Sequence, residues 1–112
     1  MINTKSNRTL FVMAVCKDRL DADAQQAREE YIEGHLEHVE SIQDHILVAG
    51  PIFGEDQKTL IGSTLIYKTD DIEQARKWLE ADPYFKAPIW EKVEFHLFRG
   101  ALGDAVGGVT YR

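Results

Sequence analysis

Apolar and polar positions along the chain predict four strands and two helices in the order β-α-β-β-α-β. Residues 9–16 form an almost unbroken apolar run, which is short and rich in β-branched side chains. Such a run is typical of a strand that is covered on both faces. Residues 45–49, 61–67 and 90–98 predict three further strands, and the last of these alternates between apolar and polar side chains.

Two helices are predicted between these strands. The first begins at Asp21 or Asp23, either of which can cap it, and continues to about Asp44, with Gly34 as its one weak point. The second helix is about three turns long and ends near Asp82, because a proline comes next. The first helix is therefore predicted to be long and amphipathic, and the second to be shorter.

This order of elements is the split βαβ pattern, in which both helices cover one face of a four-stranded antiparallel sheet. The sequence predicts an α+β protein with a ferredoxin-like βαββαβ fold, as one domain over residues 1–99. The other face would carry Phe98 and alternate side chains of the first and third strands, which are too apolar to stay in water, so a homodimer is predicted. The Gly-rich residues 100–112 are predicted to be either a mobile arm or a segment that wraps the partner chain.

Composition narrows the possible partners and the location. The chain has 112 residues and a formal net charge of -6, so it lacks the basic surface that nucleic acid or anionic lipid would need. Cys16 is the single cysteine, which agrees with a reducing compartment. No apolar run approaches a membrane span, and the polar N-terminus is unlike a signal peptide. We therefore expect a cytoplasmic protein that binds neither nucleic acid nor membranes.

The first helix has an apolar stripe that also contains two ionisable residues, Arg28 and His35. Buried ionisable groups are rarely unpaired, so both need a partner. Asp82 continues the buried stripe of the second helix, where a carboxylate also meets the negative end of the helix dipole and would gain from a nearby cation. We therefore predict that Asp82 contacts His35, with Arg28 close by, in a pocket where the helices converge. The apolar stripe consists of Tyr31, Ile32, Leu36, Val39 and Ile42.

An imidazole that is oriented by a carboxylate through one nitrogen can act as a general base through the other, near neutral pH. Ser63 could offer a hydroxyl group to a substrate, and Tyr84 could form the roof of the pocket. One hypothesis is therefore an enzyme that acts on a small metabolite, as a lyase or hydrolase without a cofactor. The other is a ligand-binding or interaction module in which His35 and Asp82 form a structural pair, and residue spacing does not separate the two.

The remaining candidate residues carry weaker signals. His35, His38 and His45 lie near acidic residues, but no HExxH or paired-cysteine motif supports a metal site, so no metal is predicted. His96 is expected on the sheet face that the helices leave free, either packed there or lining a dimer cavity. Cys16 is expected to be an inert buried thiol.

Four short motifs occur in an order and spacing that resembles the YCII (YciI-like) family. They are His35-Leu36, Ala49-Gly50-Pro51, Gly62-Ser63 and Asp82-Pro83-Tyr84. The resemblance covers residues 9–98 and implies a ferredoxin-like fold related to the dimeric α/β barrels, with a site built on His35 and Asp82 and with Ser63 near them. One branch of the family removes chloride from a chlorinated hydroxyquinol, so the resemblance implies dehydrochlorinase-like chemistry as one possible reaction.

The chain departs from the Arg-Pro-x-His-Leu form that is common in this family. Ile32 stands at the arginine position and Glu33 at the proline position. The basic residue here is Arg28, two turns before His35, and it becomes the candidate for substrate binding together with Ser63 and Tyr84.

Overall fold

A computed structural model describes residues 9–112, so the polar segment 1–8, where the sequence predicts no signal peptide, lies outside the described residues. No helix within residues 9–112 is long and apolar enough to cross a membrane. The strands and α-helices of this part of the chain are β1 (Leu10–Asp18), α1 (Ala22–Glu30), α2 (Ile32–Ser41), β2 (Ile46–Phe53), β3 (Leu60–Tyr67), α3 (Ile72–Glu80), α4 (Pro83–Lys86), β4 (Trp90–Arg99), β5 (Leu102–Gly103) and β6 (Gly108–Val109).

Four of the strands form one antiparallel sheet in the order β2-β3-β1-β4. Strand β1 lies in its interior, where Cys16 pairs with Ser63 of β3 on one side and with Val93 of β4 on the other. The predicted α+β fold with a four-stranded antiparallel sheet is confirmed. The mostly apolar sequence of β1 fits its central place, because both of its edges are paired and neither faces water.

The core lies between one face of this sheet and the helices. Val12, Ala14 and Cys16 alternate along β1 and are fully buried, and Ala75 and Leu79 of α3 belong to the same apolar cluster. The side chains between them point to the opposite face, where Met13, Val15 and Ile66 are only half-buried. Period-two alternation thus gives the sheet one buried face and one apolar face that remains partly accessible.

The prediction of a single long first helix is wrong. The chain forms α1 and α2 with a break at Tyr31, whose dihedral angles (φ -104°, ψ 10°) leave the helical region. Gly34 does not break the helix; a Cβ atom there would lie 3.2 Å from the ring of Pro83, so glycine lets α2 approach α4 closely. Of the predicted apolar stripe, Ile32 and Leu36 remain 39% and 44% exposed.

Two other boundaries differ from the predictions. Strand β2 continues through Gly50 and Pro51, where the sequence suggested that it ends, because an edge strand tolerates a proline that donates no hydrogen bond. The second predicted helix ends at Glu80, and a separate single turn, α4, begins after Asp82. Asp82 therefore belongs to the junction of two helices.

The C-terminal segment forms a small hairpin after the main sheet. Strands β5 and β6 pair with each other across a turn of 3-10 helix, Asp104–Val106. The hydroxyl group of Thr110 lies 2.8 Å from the carbonyl oxygens of both Gly100 and Ala101, and its single proton is shared between them. The turn lies against the end of the sheet, since a Cβ atom on Gly100 would approach Val106 and Phe11. The predicted role of this tail, as a mobile arm or in wrapping a partner chain, stays a prediction.

Candidate active site

The helix α2 and the junction between α3 and α4 bring His35 and Asp82 into contact. Nδ1 of His35 lies 2.8 Å from Oδ2 and 3.0 Å from Oδ1 of the Asp82 carboxylate. Asp82 is 1% exposed, whereas the side chain of His35 keeps 15% of its surface exposed. The carboxylate is thus buried beneath an imidazole that solvent can reach.

The expected clash between Asp82 and a helix dipole does not occur. Asp82 is the N-cap residue of α4, and its Oδ1 accepts a hydrogen bond from the backbone N–H of Tyr84 at 2.9 Å. At an N-terminus the helix dipole favours a negative charge. The turn that ends α3 and starts α4 therefore holds the carboxylate in place for His35.

Tyr84 supports the imidazole from one side. Its ring stacks on the ring of His35, with the centroids 4.0 Å apart and the planes 2° from parallel. Its hydroxyl group donates a hydrogen bond to the backbone carbonyl of Arg28 at 3.0 Å. Burial raises the pKa of Tyr84, so the phenol remains protonated and continues to donate this bond. The ring of His35 is therefore fixed both by a carboxylate and by an aromatic face.

A second buried pair, Arg28 with Asp18, lies beside the first. Nε of Arg28 lies 2.6 Å from Oδ2 of Asp18, and Nη2 lies 3.1 Å from Oδ1. The same Nη2 donates to the carbonyl oxygen of Gly62 at 2.9 Å and to Oγ of Ser63 at 3.1 Å. The guanidinium carbon is 5.3 Å from the centroid of the Tyr84 ring. Arg28 thus joins α1 to β1, β3 and α4.

Asp18 is the residue of this site that the sequence analysis missed. Arg28 pairs with Asp18, and the expectation that it accompanies Asp82 is replaced by a link through Tyr84. A signal was present in the sequence, because Asp18 continues the buried alternation of Val12, Ala14 and Cys16 along β1. A carboxylate at an inward position of a strand requires a cation, and Arg28 supplies it.

These residues border a cavity of about 620 Å³ between α1, α2 and the β2–β3 edge of the sheet. Arg28, His35, Ser63 and Tyr84 all line it, whereas Asp82 lies behind His35. The structure thus brings all five predicted site residues to one place. The remaining wall is mostly apolar, and it includes Ile32, Leu36, Val39, Ala49, Pro51 and Leu65.

The other candidate residues lie outside this cavity. His38 donates through Nε2 to the carbonyl oxygen of Trp78 at 2.8 Å, and the ring of His45 stacks near Trp78 at 4.9 Å. His96 is exposed, 3.8 Å from Glu94. Across residues 9–112, no three His, Cys, Asp or Glu side chains cluster as metal ligands would. Burial, followed by the charges of Asp82 and Asp18, raises the pKa of the Cys16 thiol to about 12, so this thiol is a poor nucleophile.

The match to known families covers most of the chain. Residues 10–99 match the model of the YCII-related domain. The chain belongs to the YCII family. This YCII protein is similar to Protein YciI of Escherichia coli and to Protein YciI of Shigella flexneri. Each match has 31% identity over an alignment of 85 residues, and it covers 70% of this chain and 87% of the relative. The family resemblance of the sequence is therefore confirmed.

Two solved structures share the fold of this YCII protein. One is 5-chloro-2-hydroxyhydroquinone dehydrochlorinase from Burkholderia phenoliruptrix in complex with 2,5-dihydroxybenzoquinone; it is 27% identical, has a TM-score of 0.68, and the match covers 85% of this chain and 96% of that chain. The other is a conserved protein from Methanosarcina mazei, with 12% identity, a TM-score of 0.52, and coverage of 85% and 97%. The second shows similarity of fold alone.

Proposed function

We propose that this protein is a small-molecule enzyme in which His35, oriented by Asp82, serves as general acid and base without a cofactor. The reaction class is a lyase reaction of the dehydrochlorinase type or a hydrolysis. The observation that carries the proposal is the contact of Nδ1 of His35 with the buried Asp82 carboxylate at 2.8 Å, in the wall of an accessible cavity. The similarity to a dehydrochlorinase at 27% identity over 85% of the chain supports the same class of chemistry.

The geometry assigns different tasks to the two imidazole nitrogens. With Nδ1–H donating to Asp82, the lone pair lies on Nε2, and no group within residues 9–112 hydrogen-bonds to that atom. In an elimination, Nε2 takes a proton from the substrate, the electron pair left behind forms the new double bond, and the leaving group departs with its own bonding pair. Asp82 stabilises the imidazolium, which then returns the proton to water.

A ligand-binding or interaction module is the second candidate function. One observation favours it: Asp82 also caps α4 and is almost wholly buried, so its contact with His35 has a structural use that is independent of catalysis. In this alternative the same cavity binds a ligand, and the His35–Asp82 pair only joins α2 to α4.

Conservative replacements distinguish the two functions. His35→Asn keeps an N–H group near the position of Nδ1 but lacks Nε2, and Asp82→Asn still caps α4 but removes the negative charge. We expect each variant to fold and to lose about 10²–10⁴-fold in kcat, the usual contribution of general acid–base catalysis. The matched control is His45→Asn, which lies outside the cavity and should keep full activity.

The assay measures chloride release from 5-chloro-2-hydroxyhydroquinone, the substrate in the name of the similar enzyme, and turnover of a panel of hydroxyquinols, lactones and esters. Thermal unfolding of each variant is recorded in parallel. Absence of turnover by the wild-type protein, together with a loss of stability in both site variants, would establish the binding module instead.

We also propose a ferredoxin-like arrangement that forms homodimers through the sheet, in the cytoplasm. The strand order β2-β3-β1-β4 supports the ferredoxin-like arrangement. The half-buried apolar side chains Met13, Val15 and Ile66 on the face opposite the core support the dimer. Light scattering at micromolar concentration should give twice the chain mass of 12.8 kDa. Met13→Lys should give monomers, and a monomeric wild-type protein would contradict this part of the proposal.

A further inference from the structure

Arg28 keeps one of its amino groups available to the cavity. Nε and Nη2 of Arg28 are both engaged, by Asp18, Gly62 and Ser63. Nη1 has no hydrogen-bond partner within residues 9–112. It is nevertheless accessible, because the buried side-chain nitrogen without a partner in these residues is Nε1 of Trp90. Since the side chain is 93% buried and lines the cavity, the accessible surface of Nη1 faces into it. A hydrogen-bond donor of fixed direction therefore remains free in the cavity wall.

The charges around this donor disfavour a ligand that carries a full negative charge. Arg28 is already neutralised by Asp18 at 2.6 Å, and His35 is held by Asp82 at 2.8 Å. Glu29 adds a third carboxylate at the wall. Asp18 and Asp82 are buried behind the two cations, and Glu29 is exposed. Even with His35 protonated, the formal charges of these five groups sum to one negative charge, so the cavity offers an anion no net attraction.

The walls specify the rest of the ligand. The cavity of about 620 Å³ is larger than a ring-sized molecule. Its hydrocarbon surface comes from Ile32, Leu36, Val39 and Leu65. We propose that the cavity takes an uncharged, ring-sized apolar ligand with a carbonyl or hydroxyl oxygen that accepts a hydrogen bond from Nη1 of Arg28. That this ligand is a substrate rests on the proposed function. The chemical class of the ligand rests on Arg28, the apolar walls and the charges around the cavity.

Three probes with the same nine-heavy-atom skeleton test the ligand class on the wild-type protein: acetophenone, cumene and benzoate. Titrations followed by backbone amide chemical shifts give the affinity of each probe. Acetophenone should bind about tenfold to a hundredfold more tightly than cumene, because it adds one hydrogen bond from a charged donor. It should also bind more tightly than benzoate, which brings a full negative charge.

A substitution of Arg28 tests which side chain donates the hydrogen bond to the carbonyl oxygen of acetophenone. Arg28→Lys keeps a cation for Asp18 but lacks the guanidinium fork, and it should remove the preference for acetophenone over cumene. Arg76→Lys is the matched control, because Arg76 lies outside the cavity, where it contacts Glu73 and the ring of Phe95, and this variant should keep the preference.

Equal affinity for cumene and acetophenone, tightest binding of benzoate, or no shifts with any probe at millimolar concentration would each overturn the proposal. The same titrations on the His35→Asn variant test the ligand class independently of the proposed catalysis, because binding of a probe requires no turnover. The expected order of probes in a protein that proves catalytically inactive supports the ligand class and rejects only the enzymatic function.

Discussion

Removing one partner of the Asp18–Arg28 pair should destabilise the protein strongly. Asp18 is fully buried and Arg28 is 7% exposed, and two hydrogen bonds of 2.6 Å and 3.1 Å join them. Either Asp18→Asn or Arg28→Met leaves a charge in the interior without its partner, which costs about 3–5 kcal/mol. A domain of this size has only ~5–15 kcal/mol of stability, so the loss is between about a fifth and all of it. At about 4 °C per kcal/mol, Tm should fall by ~12–20 °C.

The double variant Asp18→Asn/Arg28→Met leaves no lone charge, so it should be no less stable than the worse single variant. Urea unfolding of all four proteins, followed by circular dichroism, gives the coupling free energy. Lys17→Met is the control, because the Lys17–Glu91 pair at 3.4 Å involves the same strand but is exposed, and its loss should cost under ~1 kcal/mol. Single variants that each lose less than ~1 kcal/mol, or a double variant whose loss is the sum of the two, would refute the reasoning.

Two further predictions concern residues beside this pair. Gly62→Ala should lower the free energy of unfolding by ~1–3 kcal/mol in urea titrations, because a Cβ atom there would overlap the backbone carbonyl oxygen of Cys16. Gly50→Ala, where a Cβ atom meets nothing within 4 Å, should change it by less than ~0.5 kcal/mol, and equal effects at the two sites would contradict the packing argument. Because burial raises the pKa of Cys16 to about 12, the folded protein at pH 8 holds almost no thiolate and should react with Ellman's reagent only as fast as it unfolds. Rapid labelling in the absence of urea would show that the thiol is accessible and ionised.

The sheet and the contact between His35 and Asp82 were predictable from local patterns. Apolar runs and alternation located β1, β3 and β4, since strand side chains repeat every two residues. The contact followed from the rule that an ionisable side chain inside an apolar stripe must find a partner, which left Asp82 as the candidate on the other helix.

The break between α1 and α2, the turn α4 and the role of Asp18 depend on contacts between residues far apart in the sequence, which local patterns do not reveal. The break at Tyr31 occurs within a continuous helical pattern, and the close approach of α2 to Pro83 at Gly34 joins residues that are far apart in the sequence. The turn α4 is only four residues long, too short for any periodicity to reveal, so the local pattern predicts Asp82 at the end of a helix although it starts one. Asp18 continues the inward alternation of β1, but an acidic residue at the end of an apolar run is also typical of the start of a loop, and the alternation alone does not name Arg28 as its partner.

The two sides of the cavity should tolerate change very differently. Arg28 is tied to Asp18, Gly62 and Ser63, so an exchange on that side disturbs the interior of the protein. Ile32 and Leu36, elsewhere in the wall, are partly exposed, and replacing them should cost less packing than replacing Arg28. New ligand specificity should therefore evolve with the least loss of stability at Ile32 and Leu36 of α2. Exchanges there change the shape of the cavity and leave the hydrogen bonds of Arg28 in place.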